Sequence, residues 1–157
     1  MLPESLREQP VARAVEDFDG DAVTGGKYDR KELTLEIAPG KITSVCGFLK
    51  YDQRFVRLST VTAVDLYPSE PRFEVVYQLH SIERKQRVRL KCRLAGPNPE
   101  IESVTGVWSG ANWYERELFD LFGIRFLNHP DLRRIMMPDA WEGHPLRKDY
   151  PITGPRV

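Results

Sequence analysis

The chain has 157 residues, 41% of them hydrophobic and 29% charged, which fits one compact unit of about 100 to 150 residues with a tail and argues against disorder or a fibrous class. Its 23 Lys and Arg balance 23 Asp and Glu, so no net field draws the whole molecule to nucleic acid or an anionic bilayer. No run approaches the ~20 apolar residues of a membrane span, acidic residues interrupt residues 1–21 where a signal peptide is apolar, and Cys46 and Cys92 stand apart without CxxC spacing, so a cytosolic chain with buried thiols and no cluster or zinc site of its own is expected.

Residues 5–18 carry Leu6, Val11, Ala14, Val15 and Phe18 at roughly helical spacing, with Pro10 marking a break or a helix start. Leu33, Leu35 and Ile37 alternate with Thr34 and Glu36, the period of a half-buried strand, and Gly25-Gly26 offers the turn out of an earlier short strand. Pro39 then opens a short amphipathic helix whose apolar face is Ile42, Val45, Cys46 and Leu49.

Three alternating runs predict an antiparallel meander: Val56, Leu58, Val64 and Leu66 on one face, then Phe73, Val75, Tyr77 and Leu79, then Val88, Leu90, Cys92 and Leu94. Pro68-Ser69-Glu70-Pro71 and Glu83-Arg84-Lys85-Gln86 are the connecting turns. The opposite faces are charged, so that side of the sheet is wet unless a partner covers it, and helices cover the other. Arg87, Arg89, Lys91 and Arg93 form a basic row that invites a nucleic-acid reading; without stacked aromatics, an edge or solvated strand guarded by charge is the better account.

Gly96-Pro97-Asn98-Pro99 breaks regular structure. Beyond it Ile101, Val104 and Trp108 fall on a helical stripe. A second helix is expected from Asn112 as cap to Gly123 as left-handed stop, with Tyr114, Leu118, Leu121 and Phe122 on its apolar side. Its far side presents Glu115, Arg116, Glu117 and Asp120 around Phe119, which reads either as an exposed face with a weak ion pair or as a docking face.

Ile124-Arg125-Phe126 suggests a short strand, and His129-Pro130-Asp131 a turn into a long irregular segment through Arg133, Arg134, Trp141, Arg147 and Tyr150. Such an arm cannot easily bury itself, so a partner groove is expected to order it. The architecture expected is α+β: a mixed or antiparallel sheet of about five strands with helices on one face, plus an extended C-terminal arm. Residues 1–96 form the scaffold, 97–127 a helical segment and 128–157 the arm, within one domain.

His129, Asp131 and His144 raise the question of catalysis, since His carries protons near neutral pH. No His-Glu-x-x-His spacing, nucleophile elbow or glycine-rich phosphate loop accompanies them, and His129 is expected to bond backbone groups in its own turn. No catalytic, cofactor-binding or metal-ligating residue is assigned.

The run Glu115-Arg116-Glu117, Asp120 after two apolar residues, Leu121-Phe122, His129 after six more, Arg133 after three and then Ile135-Met136 resembles the signature of the 30-kDa type subunit of respiratory complex I, the proton-pumping NADH:quinone oxidoreductase. The likeness extends to Leu49-Lys50-Tyr51-Asp52, Phe55, Val64-Asp65 and the stretch from Ser103 to Trp113, and to His144-Pro145-Leu146-Arg147-Lys148-Asp149-Tyr150-Pro151; residues before Lys31 do not share it. Related hydrogenases and other membrane-bound oxidoreductases carry a similar module, and relative to some members this chain is a short form without a C-terminal extension.

The resemblance implies a subunit without a cofactor of its own, with NAD, FMN, iron-sulfur clusters and quinone held elsewhere in the complex. Its expected partners are the quinone-site (49-kDa type) subunit and the neighbouring iron-sulfur subunits of the peripheral arm. It implies a peripheral place on the cytoplasmic side of a bacterial inner membrane, or the matrix side in an organelle, touching the membrane only through the complex. In that setting Arg116, Arg133, Arg134, Arg147 and Lys148 are expected to meet partner carboxylates or carbonyls, and Glu115, Glu117, Asp120 and Asp149 partner cations, with some of them pairing within this chain instead. Trp113, Trp141 and Tyr150 are the expected aromatic anchors, with His129 at the same interface.

Overall fold

Alternating apolar residues between positions 23 and 94 build a five-stranded mixed sheet in the computed structural model, which describes residues 2–154. Met1 and the last three residues of the arm expected over 128–157 lie outside the described residues. The strands are β1 (Val23–Asp29), β2 (Glu32–Ile37), β3 (Arg57–Asp65), β4 (Phe73–Ser81) and β5 (Gln86–Leu94), in the order β1-β2-β5-β4-β3. β3, β4 and β5 form the antiparallel meander, while β2 pairs with β5 in parallel, a connection that needs a long crossover and here contains α2, the helix Ile42–Tyr51, with β3 and β4.

The inward residues of β2, β4 and β5 are the alternating sets read from sequence, and they share one core with α1 (Pro10–Phe18), α2 and α3 (Ala111–Phe122). Pro10 sits in the first turn of α1, where its missing N–H costs nothing. Phe18 at the end of α1 stacks on Phe48 of α2 with ring centroids 4.4 Å apart. Cys46 and Cys92 are fully buried in this core, which pushes both thiols up, that of Cys92 to about 12. They behave as small apolar residues.

Local expectations fail in five places, each for a physical reason. Gly25-Gly26 lies inside β1; the hairpin turns at Arg30-Lys31, both at positive φ (50° and 64°), a turn geometry usually announced by Asn or Gly. In β3 the register shifts between Leu58 and Thr60, and a bulge of one residue exchanges the faces, so Val61 and Asp65 point inward while Val56 and Val64 are exposed. The basic strand β5 is central in the sheet, not an edge, and its Arg89, Lys91 and Arg93 pair with Glu32 and Glu74 of neighbouring strands.

Ile101 belongs to a short strand, β6 (Glu100–Glu102), paired in parallel with β7 (Arg125–Leu127). Val104 and Trp108 follow in turns, so their spacing of three and four was not a helix. Finally, α3 begins at Ala111 with Gly110 at the cap, and Asn112 lies inside it; its C-terminal stop is Gly123, left-handed at φ 74°.

Candidate partner-docking site

The helix α3 carries the densest set of charged residues singled out above, and two of them are not on its surface. Glu115 and Asp120 are both fully buried. Glu115 accepts the Ser103 hydroxyl at 2.6 Å and the Val104 N–H at 2.7 Å, tying the helix to the loop after β6. Burial pushes its carboxyl up to about 7, against the pull of those two donors.

Asp120 gathers the arm. Its Oδ2 accepts the N–H groups of Ile135, Met136 and Met137 at 3.0, 2.6 and 2.9 Å, and its Oδ1 takes Arg134 at 2.7 Å. Burial works against this carboxylate, and the Met137 N–H, the Arg134 guanidinium and the Met136 and Ile135 N–H groups together hold it below its ordinary range. Arg116 adds bonds to the carbonyls of Arg133 and Arg134 at 3.2 and 3.3 Å.

A helix leaves its last carbonyls without intrahelical donors, and its negative end favours cations. Here the arm supplies both. The Asp120 carbonyl receives His144 Nδ1–H at 2.9 Å and Arg134 at 3.1 Å, the Leu121 carbonyl receives the Leu146 N–H at 3.0 Å, and the Phe122 carbonyl receives Arg147 Nε at 2.6 Å. Such close approach needs Gly123: a Cβ there would stand 2.6 Å from both Arg147 Nη2 and His144 Cδ2, at a φ that L side chains rarely adopt.

Further along, Asp149 meets the body. Arg72, held between the rings of Tyr67 and Phe73 (4.8 and 4.9 Å), forks onto buried Asp65 with both bonds at 2.8 Å and reaches Asp149 at 2.6 Å. The Lys148 N–H also binds Asp65, at 2.8 Å. The Arg72 guanidinium holds the Asp65 carboxyl well below the usual carboxylate range. Trp141 donates its indole N–H to the Tyr150 hydroxyl at 3.1 Å.

The structure thus divides the expected interface residues. Glu115, Asp120, Arg134, Arg147 and Asp149 have partners in this chain, so the picture of an arm waiting for an external groove is corrected: residues 133–150 are ordered on the chain's own helix end and strand ends. His129 lends Nε2–H to the Asn112 carbonyl at 3.4 Å and accepts the Asp131 N–H at Nδ1 at 3.0 Å, so both ring nitrogens bond backbone in and near its turn. Trp113 is 58% exposed, resting on Arg116 at 5.2 Å, and Glu117, Arg133 and Lys148 also face outward.

Asp65 and Arg72 were not singled out from their charges. A hint exists for Asp65, a charged residue at the inward end of a strand once the bulge is allowed for; none marks Arg72, which follows a turn proline like many exposed arginines. No cluster of three or more His, Cys, Asp or Glu side chains suited to a metal occurs among the described residues.

Residues 35–156 match the family described as respiratory-chain NADH dehydrogenase, 30 Kd subunit. The chain is 52% identical over 129 residues to the C subunit of the NADH-quinone oxidoreductase of Geotalea uraniireducens, covering 82% of this chain and 79% of that one. It is 47% identical over 152 residues to the second C subunit of the NADH-quinone oxidoreductase of Rhizobium etli, covering 96% and 79%. Among solved structures it is similar to a trypsin-resistant fragment of Nqo5, with TM-score 0.67 and 27% identity over 76% of this chain and 97% of the fragment. It shares its fold with a chain of an archaeal membrane-bound sulfane sulfur reductase, with TM-score 0.77 and 24% identity over 90% and 84%.

Proposed function

This chain belongs to the respiratory-chain NADH dehydrogenase 30 Kd subunit family, and on that premise we propose that it is a cofactor-free building subunit of a proton-pumping NADH:quinone oxidoreductase, docked onto the quinone-site (49-kDa type) subunit beside iron-sulfur subunits of the peripheral arm. The observation that carries the docking reading is the prefolded arm. Its inward polar groups are consumed by Asp120, Asp65 and the end of α3, while Met136 (64% exposed), Ile135, Arg133 and the Trp113 ring beside them are left facing out. A surface ordered in advance binds without the entropy cost of folding on its partner.

On this reading Trp113, Glu117, Arg133 and Lys148 touch the partner, and Glu115, Arg116, Asp120, His129, Arg134, Trp141, Arg147, Asp149 and Tyr150 shape the surface from within. NAD, FMN, iron-sulfur clusters and quinone belong to neighbouring subunits. The chain reaches the cytoplasmic face of the membrane through the complex; none of its described helices is long and apolar enough to cross one. Identity at about half of the aligned positions to C subunits of NADH-quinone oxidoreductases favours this complex over a hydrogenase-type one, since the sulfane sulfur reductase likeness speaks for the fold alone.

The test is to tag the chain in its host, solubilise the membranes gently and identify what purifies with it. The quinone-site and iron-sulfur subunits, together with NADH-driven quinone reduction absent from the lone polypeptide, are the expected result. Recovery of the chain alone, or with hydrogenase subunits, contradicts the reading.

A further inference from the structure

β3 is an edge strand, and its first residues border two hollows that the arm does not use. Toward α3 lies a groove of about 670 Å³ walled by Val56, Leu58, Trp108, Trp113 and Tyr114, with Lys50 and Arg57 as its only charged lining among the described residues. On the uncovered face of the sheet lies a hollow of about 400 Å³ whose charged lining is Arg57, Arg87, Arg89 and the acidic Glu32, with His80 between them. Arg57 lines both, so the two form one surface.

Register sets the charge of the second hollow. Arg57 stands opposite His80, and His80 opposite Arg87, on three adjacent strands. The two guanidinium groups thus flank one imidazole on the same sheet face, where a carboxylate could bridge them. Of the three arginines, only Arg89 has a carboxylate partner among the described residues, Glu32 at 2.8 Å. In the groove, Trp108 Nε1–H is donated to the Val56 carbonyl at 3.1 Å and the Tyr114 hydroxyl to the Ser59 carbonyl at 2.9 Å. Those two carbonyls are therefore engaged at the mouth of the groove, where an occupant would enter by its side chains.

We propose that this surface docks an acidic segment of a neighbouring polypeptide, which seats an aromatic or branched apolar side chain between Trp108 and Trp113 and lays an adjacent carboxylate across Arg57, His80 and Arg87. The inference rests on the subunit reading above and adds a second contact face, which adjoins the arm surface at Trp113. Aromatic rings framing an apolar slot, with arginines beside it, are the residue types that usually anchor an interface. Glu32 and Glu74 stand on the same sheet face, which disfavours a continuous phosphate backbone but not a short segment with one or two carboxylates.

The experiment places a photo-crosslinking amino acid at Ser109, at the groove wall, in the full chain within its native membranes, and identifies the captured peptide. A peptide from another subunit with a carboxylate next to an apolar side chain is expected. Arg57→Glu with Arg87→Glu should cut its yield about tenfold, as loss of an interface anchor does, and Arg57→Gln with Arg87→Gln should act in the same direction without added repulsion. Both variants should keep the thermal midpoint of the isolated chain. Capture of a second copy, of nucleic acid or of a peptide without carboxylates overturns the proposal, as does a yield indifferent to both charge changes. If the tagged wild-type chain brings down no oxidoreductase subunit, the subunit reading fails as well; if it does and only the crosslink fails, this surface alone is wrong.

Discussion

Arg134 places its guanidinium 2.7 Å from Oδ1 of Asp120, a carboxylate with no solvent-accessible side chain, in the last turn of α3. A buried anion near the negative end of a helix is unfavourable by itself. It is tolerated here because three backbone N–H groups and a guanidinium of the arm converge on it. Helix and arm thus stabilise each other: without the arm Asp120 is an unpaired buried charge, and without Asp120 three N–H groups lose their acceptor.

Asp120→Asn should release the arm. Hydrogen bonds to a charged acceptor contribute roughly 1.5–3 kcal/mol each, so loss of the charge is expected to cost the arm about 3 kcal/mol and to raise the rate of limited proteolysis within residues 133–147 by about a hundredfold. A cleavage rate equal to that of the wild type would show that the arm is held by something else.

The Arg72 fork should behave as a unit. Arg72→Ala strands buried Asp65 and should cost about 3–5 kcal/mol in urea denaturation, whereas the double variant with Asp65→Asn should lose much less than the sum of the singles. Asp149 is 44% exposed, so Asp149→Ala should cost at most ~1 kcal/mol. Because Arg72 depresses the Asp65 carboxyl, its contribution is full above the ordinary carboxylate range and is lost as pH falls through and below it.

Glu115 gives the opposite pH dependence. Its carboxyl is raised to about 7 by burial, so between roughly pH 4.5 and 7 the unfolded chain ionises this group while the folded chain does not, and stability falls as pH rises. Glu115→Gln removes that slope. The thermal midpoint of the variant minus that of the wild type should rise across this window and level off above it; a difference independent of pH would remove Glu115 as the cause.

Gly123→Ala should be worse than a loop substitution. The left-handed conformation costs an L residue roughly 1–2 kcal/mol, and the new methyl enters the space of Arg147 and His144, displacing the caps of α3. Circular dichroism melts should show the loss, and Arg147→Ala in the same background should add little because its position is already vacated.

Much of the fold was legible as period. Leu33, Leu35 and Ile37, the four inward apolar residues of β4 and the four of β5 alternate cleanly because nothing interrupts their register. β3 deceived because one bulge exchanges its faces, and Ile101, Val104 and Trp108 deceived because a strand followed by two turns can mimic helical spacing. At the site, the signature pointed to the right helix but not to the burial of Glu115 and Asp120. Their covers arrive from Ser103, 12 residues before, and from Arg134, 14 residues after, and no helical wheel contains them. Arg72 and Asp149, 77 residues apart, share no local pattern at all.

The most direct test of the account is hydrogen–deuterium exchange of the isolated full chain, read at the amides of Ile135, Met136 and Met137. If the chain's own carboxylate organises the arm before any partner arrives, these three amides exchange about a hundredfold or more below the unstructured rate, and Asp120→Asn abolishes the protection. Exchange at the unstructured rate in the isolated chain, with protection appearing only inside the assembled complex, would contradict it.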